Sequence, residues 1–192
     1  MARSPLPTRI LLVCAAIGVA TGLLGAVAGW VTVAVLAAVP LVYGFVLGAH
    51  VLPGVIAQRL LRRPGVALAA HVLAALVSSA FAPVYVWQFL STALLFGGIQ
   101  EASAALGRYR SWAPVRMLAT AVIVGVLVAV AVAFAADLDR LAPWAQALYL
   151  VLAVAGPVAW TVVGLSISAA LQRAGVAQQH PVRDAARPSH HA

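Results

Sequence analysis

The sequence predicts an all-α integral membrane protein with about six transmembrane helices and both the N- and C-termini in the cytoplasm. Three observations predict it. Of 192 residues, 64% are hydrophobic and 8% charged, and the mean hydropathy is +1.04, far outside the composition of a soluble globular domain. The apolar residues divide into about six stretches, each close to the ~20 residues that a helix needs to cross the hydrocarbon. The arginines fall in or beside alternate breaks between those stretches, and so on one side of the membrane, as the positive-inside rule requires.

The first stretch, 10–30, follows Arg3 and Arg9 and ends near Ala26-Val27-Ala28, a pattern that a cleaved signal peptide would share. A retained helix is expected instead, because Ala15, Gly18, Gly22, Gly25 and Gly29 recur at alternating three- and four-residue spacings. They form one stripe down the helix and include two GxxxG pairs, which lets another backbone approach closely. That backbone could belong to the protein's own bundle or to a different membrane subunit. The second stretch, 40–61, opens at Pro40 and closes at the Arg62-Arg63-Pro64-Gly65 turn. Within it, Pro53 lacks a backbone donor and loosens the helix beside His50, which makes His50 either a lining position or a partner for freed backbone. The third, 66–82, stops at Pro83; the fourth, 86–107, at the loop from Arg108 to Pro114; the fifth covers 114–136, and the sixth, 145–172, follows the break from Asp137 to Pro143. Residues 1–172 are thus expected to form one transmembrane domain. Residues 173–192, polar and carrying Pro181 and Pro188, read as a disordered cytoplasmic tail. Its His180, His190 and His191 have nothing to fix the geometry of a metal site.

With the N-terminus inside, Arg3, Arg9, Arg59, Arg62, Arg63, Arg108, Arg110, Arg116, Arg173, Arg183 and Arg187 all face the cytoplasm, and Arg140 alone lies outside. The inner cell membrane is the expected location. The net charge of +8 comes from arginines scattered between apolar stretches, not from one basic polar domain, so nucleic-acid binding is excluded. The chain has no lysine, and therefore no Walker A motif, so any coupling to ATP must come from another subunit. Cys14 is the one cysteine, which rules out an internal disulfide and a cysteine-based zinc site. Ser78, Ser79 and Ser91 lack a supporting motif and HExxH is absent, so no enzyme, cofactor or metal site is expected.

Glu101 is an acidic residue inside an apolar stretch, where an unpaired carboxylate costs several kcal/mol, and an intramembrane ionisable group is a functional-site hypothesis by default. Glu101 lies seven residues before Arg108 and His71 six residues after Gly65, so both sit roughly 9–10 Å in from the cytoplasmic edge on consecutive antiparallel helices. Three readings stay open: a structural pair, or a glutamate satisfied by Gln100 and Ser103; a polar floor for a ligand cavity; and a proton relay. Trp30, Tyr85, Trp87, Gln88 and Trp144 gather near the outer helix ends, where aromatic belts are common. Together with the deeper Tyr43 and Trp160 they could also wall a flat, cationic ring.

The stretch VLPGVIAQRLLRRPGVALAAHVLAALVSS, residues 51–79, followed by the Glu101 helix ending in GRYRSW, resembles the substrate-binding S components of energy-coupling-factor (ECF) vitamin transporters. The likeness is to the YkoE-like type, associated with thiamine and hydroxymethylpyrimidine, and covers roughly residues 40–117. It implies a small membrane subunit that captures a vitamin or its precursor, works with a transmembrane coupling protein and two ATPases, and topples in the membrane to release its ligand. It also implies substrate contacts from Glu101, His71, Gln100, Trp87, Tyr43 and Trp160, and a surface for the coupling subunit on the stripe of Ala15, Gly18, Gly22, Gly25 and Gly29. The chain departs from the family where His71 replaces a usual glutamate and Phe96 a usual glutamine. A stand-alone proton-coupled carrier and a structural or assembly protein are the alternatives.

Overall fold

The computed structural model describes residues 8–38, 40–135 and 142–176. The tail from 177, with its three histidines, and Asp137, Asp139 and Arg140 lie outside the described residues. The elements are α1 (Thr8–Ala38), α2 (Tyr43–Leu47), α3 (Leu52–Leu61), α4 (Val66–Phe81), α5 (Val86–Leu106), α6 (Pro114–Ala135) and α7 (Pro143–Arg173). Among the described residues there is no strand. Short 3₁₀ turns precede α2 at Pro40–Val42, join α2 to α3 at Gly48–Val51, and precede α5 at Pro83–Tyr85. The α2–α3 rod counts as one span, and five segments are long and apolar enough to cross a bilayer. The sixth, α4, has 16 residues, about 24 Å of helix against a hydrocarbon core of about 30 Å. It is cut short by the Arg62–Gly65 turn at one end and Pro83 at the other.

Helix α3 runs through the middle of the bundle, with every residue from Leu52 to Gln58 buried. One side of it packs with Cys14 and Ile17 of α1 and Val66 and Ala70 of α4. On the other side, Val51 and Val55 meet Phe96 of α5 and Met117, Val124 and Val128 of α6. Trp160 of α7 touches both groups. The outer wall is apolar: Leu12, Val27, Leu94, Phe134 and Val151 are among many large exposed hydrophobic side chains. Water would not tolerate so much contiguous apolar surface, whereas lipid does.

Close helix approach is bought with glycine. A Cβ on Gly18 would meet Leu73 Cβ at 2.7 Å, one on Gly22 the Ala74 carbonyl at 2.6 Å, and one on Gly25 Ser78 Oγ at 2.8 Å, while Gly29 faces the Phe89 ring. The glycine stripe of α1 is therefore filled by α4 and α5 of the same chain. This corrects the expectation for Gly18, Gly22, Gly25 and Gly29, which pack within the chain rather than present a bare groove to another subunit; Ala15 of the same stripe is half-buried. The α2–α3 rod and α7 meet in the same way, Gly44 against Ala153 and Gly48 against Gly156 and Pro157.

Candidate functional site

Polar residues form two groups. The first lies at the arginine-rich end. Arg62 takes φ 49° and Gly65 φ 83°, left-handed conformations that turn the chain from α3 into α4 and suit glycine at the second position. The turn leaves the Gly65 N–H pointing out of the start of α4, and it donates to Glu101 Oε1. A carboxylate at a helix N-terminus satisfies an orphan donor and is favoured by the helix dipole. Arg116 is within electrostatic reach of Glu101; its Nη2 lies 3.4 Å from Gln58 Oε1 and its guanidinium stacks 5.3 Å from the Trp112 ring centroid. Arg59 Nη1 donates to the Trp112 carbonyl at 3.0 Å, and Ser103 bonds Thr120 at 2.6 Å. The group ties α3, α4, α5 and α6 together where they leave the membrane.

The expected meeting of Glu101 with His71 does not occur. Their backbones sit at similar depth, but neighbouring residues of a helix point about 100° apart. The side chain of α5 that reaches His71 is Gln100. His71 Nε2 is 3.0 Å from Gln100 Oε1, Gln100 Nε2 donates to the Val51 carbonyl at 3.0 Å, and Gln58 Nε2 donates to the Gln100 carbonyl at 3.0 Å. Gly54 and Gly97 make room for the pair, since a Cβ at either would press on His71.

The second group surrounds a cleft beside that network. Thr21, Leu24 and Gly25 of α1, Ala49, His50 and Pro53 of the loosened second span, His71, Ala74, Ala75 and Ser78 of α4, and Phe89, Thr92 and Ala93 of α5 line it. The cleft encloses about 390 Å³ with its mouth and about 20 Å³ in its tight core, room there for about one water. The 3₁₀ stretch before Pro53 turns His50 into it, with Nδ1 3.1 Å from the Leu47 carbonyl. On α4, His71, Ala74, Ala75 and Ser78 share one face at helical spacing, so Ser78 was legible as a companion of His71. Thr21, Phe89 and Thr92 carried no such signal. A larger hollow on the outer wall, among α1, α3 and α7, encloses about 970 Å³ with its mouth and about 490 Å³ within, and is lined by leucine, isoleucine, valine and alanine apart from Arg9 and Thr21. It lacks the convergent polar groups of a recognition site.

The aromatic candidates lie elsewhere. Trp87 is 81% exposed on the outer surface. Trp160 Nε1 donates to the Phe45 carbonyl at 3.1 Å, satisfying backbone in the irregular second span. Tyr43 is half-buried at the start of α2 and does not line the cleft. A chain of edge-on rings runs instead from Trp30 through Tyr85, at 5.7 Å, to Phe89, at 6.3 Å, on the cleft wall. Of the expected contact residues, the structure brings His71 and Gln100 together and places Glu101, Trp87, Tyr43 and Trp160 away from them.

The fold is similar to that of a protein described as "Crystal structure of an S-component of ECF transporter", with a TM-score of 0.75 over 90% of this chain and 89% of that one, at 18% identity. No curated protein matches the chain. The family model for permease components of ABC-type cobalt transport systems matches residues 9–128, more than half the chain and every residue named in the two polar groups. Six apolar spans, a buried polar cleft and that match agree: the chain belongs to the family of ABC-type cobalt transport system permease components.

Proposed function

We propose that the chain is the membrane-embedded, substrate-binding S component of an ECF-type importer in the inner cell membrane, and that it captures a small heterocycle of the thiamine or hydroxymethylpyrimidine kind. The observation that carries the reading is the cleft itself: two imidazoles, His50 and His71, converge on a hollow inside a bundle whose fold is that of an S component. The cleft lies away from the arginine-rich end, which the positive-inside rule puts in the cytoplasm, so capture is from outside. Its core is narrow, so seating a heterocycle requires lining side chains to move apart. A coupling protein and two ATPases supply the energy, which suits a chain without a lysine and hence without a Walker A motif.

The family description names cobalt, and two imidazoles in one cleft favour a second reading in which the cargo is a metal ion. Against it, the described residues contain no group of three or more His, Cys, Asp or Glu side chains that could hold one. Titration of the purified protein with thiamine, hydroxymethylpyrimidine, unrelated vitamins and Co²⁺ separates the readings. Saturable binding of a pyrimidine, weakened at least tenfold by His50→Ala and by His71→Gln, is the expected result. Binding of Co²⁺ alone would replace the vitamin with the ion, and no binding by folded protein would return the chain to an assembly role.

A further inference from the structure

The hydrogen bonds around the cleft determine which nitrogen of each imidazole carries its proton. The Val51 carbonyl can only accept, so the Gln100 atom facing it at 3.0 Å is the amide nitrogen, and the atom facing His71 is the amide oxygen. That oxygen can only accept, so His71 carries its proton on Nε2. The Leu47 carbonyl likewise fixes the proton of His50 on Nδ1. Glu101 is the one acidic side chain among the described residues and is engaged by Gly65, so among the described residues neither ring has a carboxylate to hold a second proton, and each carries one. His71 Nδ1 and His50 Nε2 then remain as bare acceptors. Two of the three lining hydroxyls have their protons engaged: Thr21 donates to the Ile17 carbonyl at 2.7 Å and Ser78 to the Gly22 carbonyl at 2.7 Å. Thr92 is the remaining lining hydroxyl, and Pro53 has no N–H to offer.

We infer that the histidine wall of the cleft offers acceptors only, that the group of the ligand seated there is an uncharged or cationic N–H donor such as a ring-bound amino group, and that Gln100 is the positioning residue that sets this preference by fixing the His71 tautomer. The inference rests on the cleft being the binding site. A carbonyl or carboxylate in the same place would face two lone pairs and be rejected, because a buried acceptor without a donor loses its hydration for nothing.

The test has two independent arms. Nitrogen NMR of protein labelled with ¹⁵N-histidine, assigned with His50→Gln and His71→Gln, should show His71 protonated on Nε2 and His50 on Nδ1; the opposite tautomer at either ring overturns the inference. Thiamine and its 4-oxo analogue oxythiamine differ at one edge of the pyrimidine, where an amino group beside a bare ring nitrogen becomes a carbonyl beside a ring N–H, and thiamine should bind at least about 100-fold more tightly. Binding of the two within threefold overturns the inference as well. Gln100→Glu keeps the shape, gives up the donor to the Val51 carbonyl and places a carboxylate against His71, which takes up a second proton and turns Nδ1 from acceptor to donor. Both His71 nitrogens should then report as protonated and the thiamine preference should fall at least tenfold, a change that loss of packing alone would not produce; an unchanged preference with a doubly protonated ring removes Gln100 from the role. Should neither compound bind, the vitamin assignment falls, and the tautomers alone decide whether the acceptor wall stands.

Discussion

Gly54→Ala tests the His71–Gln100 network most directly. A Cβ at Gly54 would fall inside the Gln100 amide oxygen, 2.8 Å from His71 Nε2 and 2.9 Å from Gln100 Cδ, each about 0.5 Å or more closer than ordinary contact. Gly54 is on the buried central helix, and neither neighbour is a flexible chain end with somewhere to go: His71 is wedged against Gly97, and Gln100 is held by Val51. The amide must swing away, breaking its bonds to His71 and Val51 together. Overpacking costs about 1–3 kcal/mol, and hydrogen bonds between membrane helices about 0.6 kcal/mol each on average. The expected destabilisation is therefore about 2–4 kcal/mol. Gly98→Ala is the control, because a Cβ there meets nothing within 4 Å and gains helix propensity of up to about 1 kcal/mol. Unfolding of the two variants in mixed detergent micelles, followed by circular dichroism, measures the gap. Equal stability of Gly54→Ala and Gly98→Ala would refute the packed network and with it the tautomer argument.

Glu101→Gln keeps an acceptor for the Gly65 N–H and removes only the charge at the start of α4. It should cost about 0.3–1 kcal/mol of stability and leave ligand affinity within twofold; a tenfold loss of affinity would put the carboxylate back in the site. Gly22→Val drives a branched side chain into the Ala74 carbonyl and Val77 and should destabilise by about 2–3 kcal/mol, whereas Ala20→Val on the exposed face of the same helix should stay within about 0.5 kcal/mol. If the two are alike by thermal unfolding, α1 does not seat on α4 as described. Trp160→Phe removes the donor to the Phe45 carbonyl and should lower stability by about 1 kcal/mol without altering ligand affinity; a large affinity loss at unchanged stability would make Trp160 a ligand contact.

The sequence by itself determined the number and limits of the spans and the arginine-rich end. These depend on one-dimensional quantities, the length of apolar runs and the positions of Pro40, Pro83, Pro114 and Pro143, and the predicted boundaries fall within about three residues of a helix end, apart from the end of the first stretch, expected at 30, where α1 continues to Ala38. The same is true of the loosened backbone before Pro53, since proline removes its donor whatever surrounds it. Which polar side chains meet was decided only in three dimensions. A shift of one residue along α5 rotates the side chain by about 100°, enough to give His71 the amide of Gln100 and to send Glu101 to the turn at Gly65. The partner of the glycine stripe was hidden for a related reason: a smooth groove on α1 accepts any close backbone, and only the parallel docking of α4 shows that its own chain fills it. Depth in the membrane is written in the chain, whereas azimuth around each helix is set by packing against neighbours that the sequence does not place.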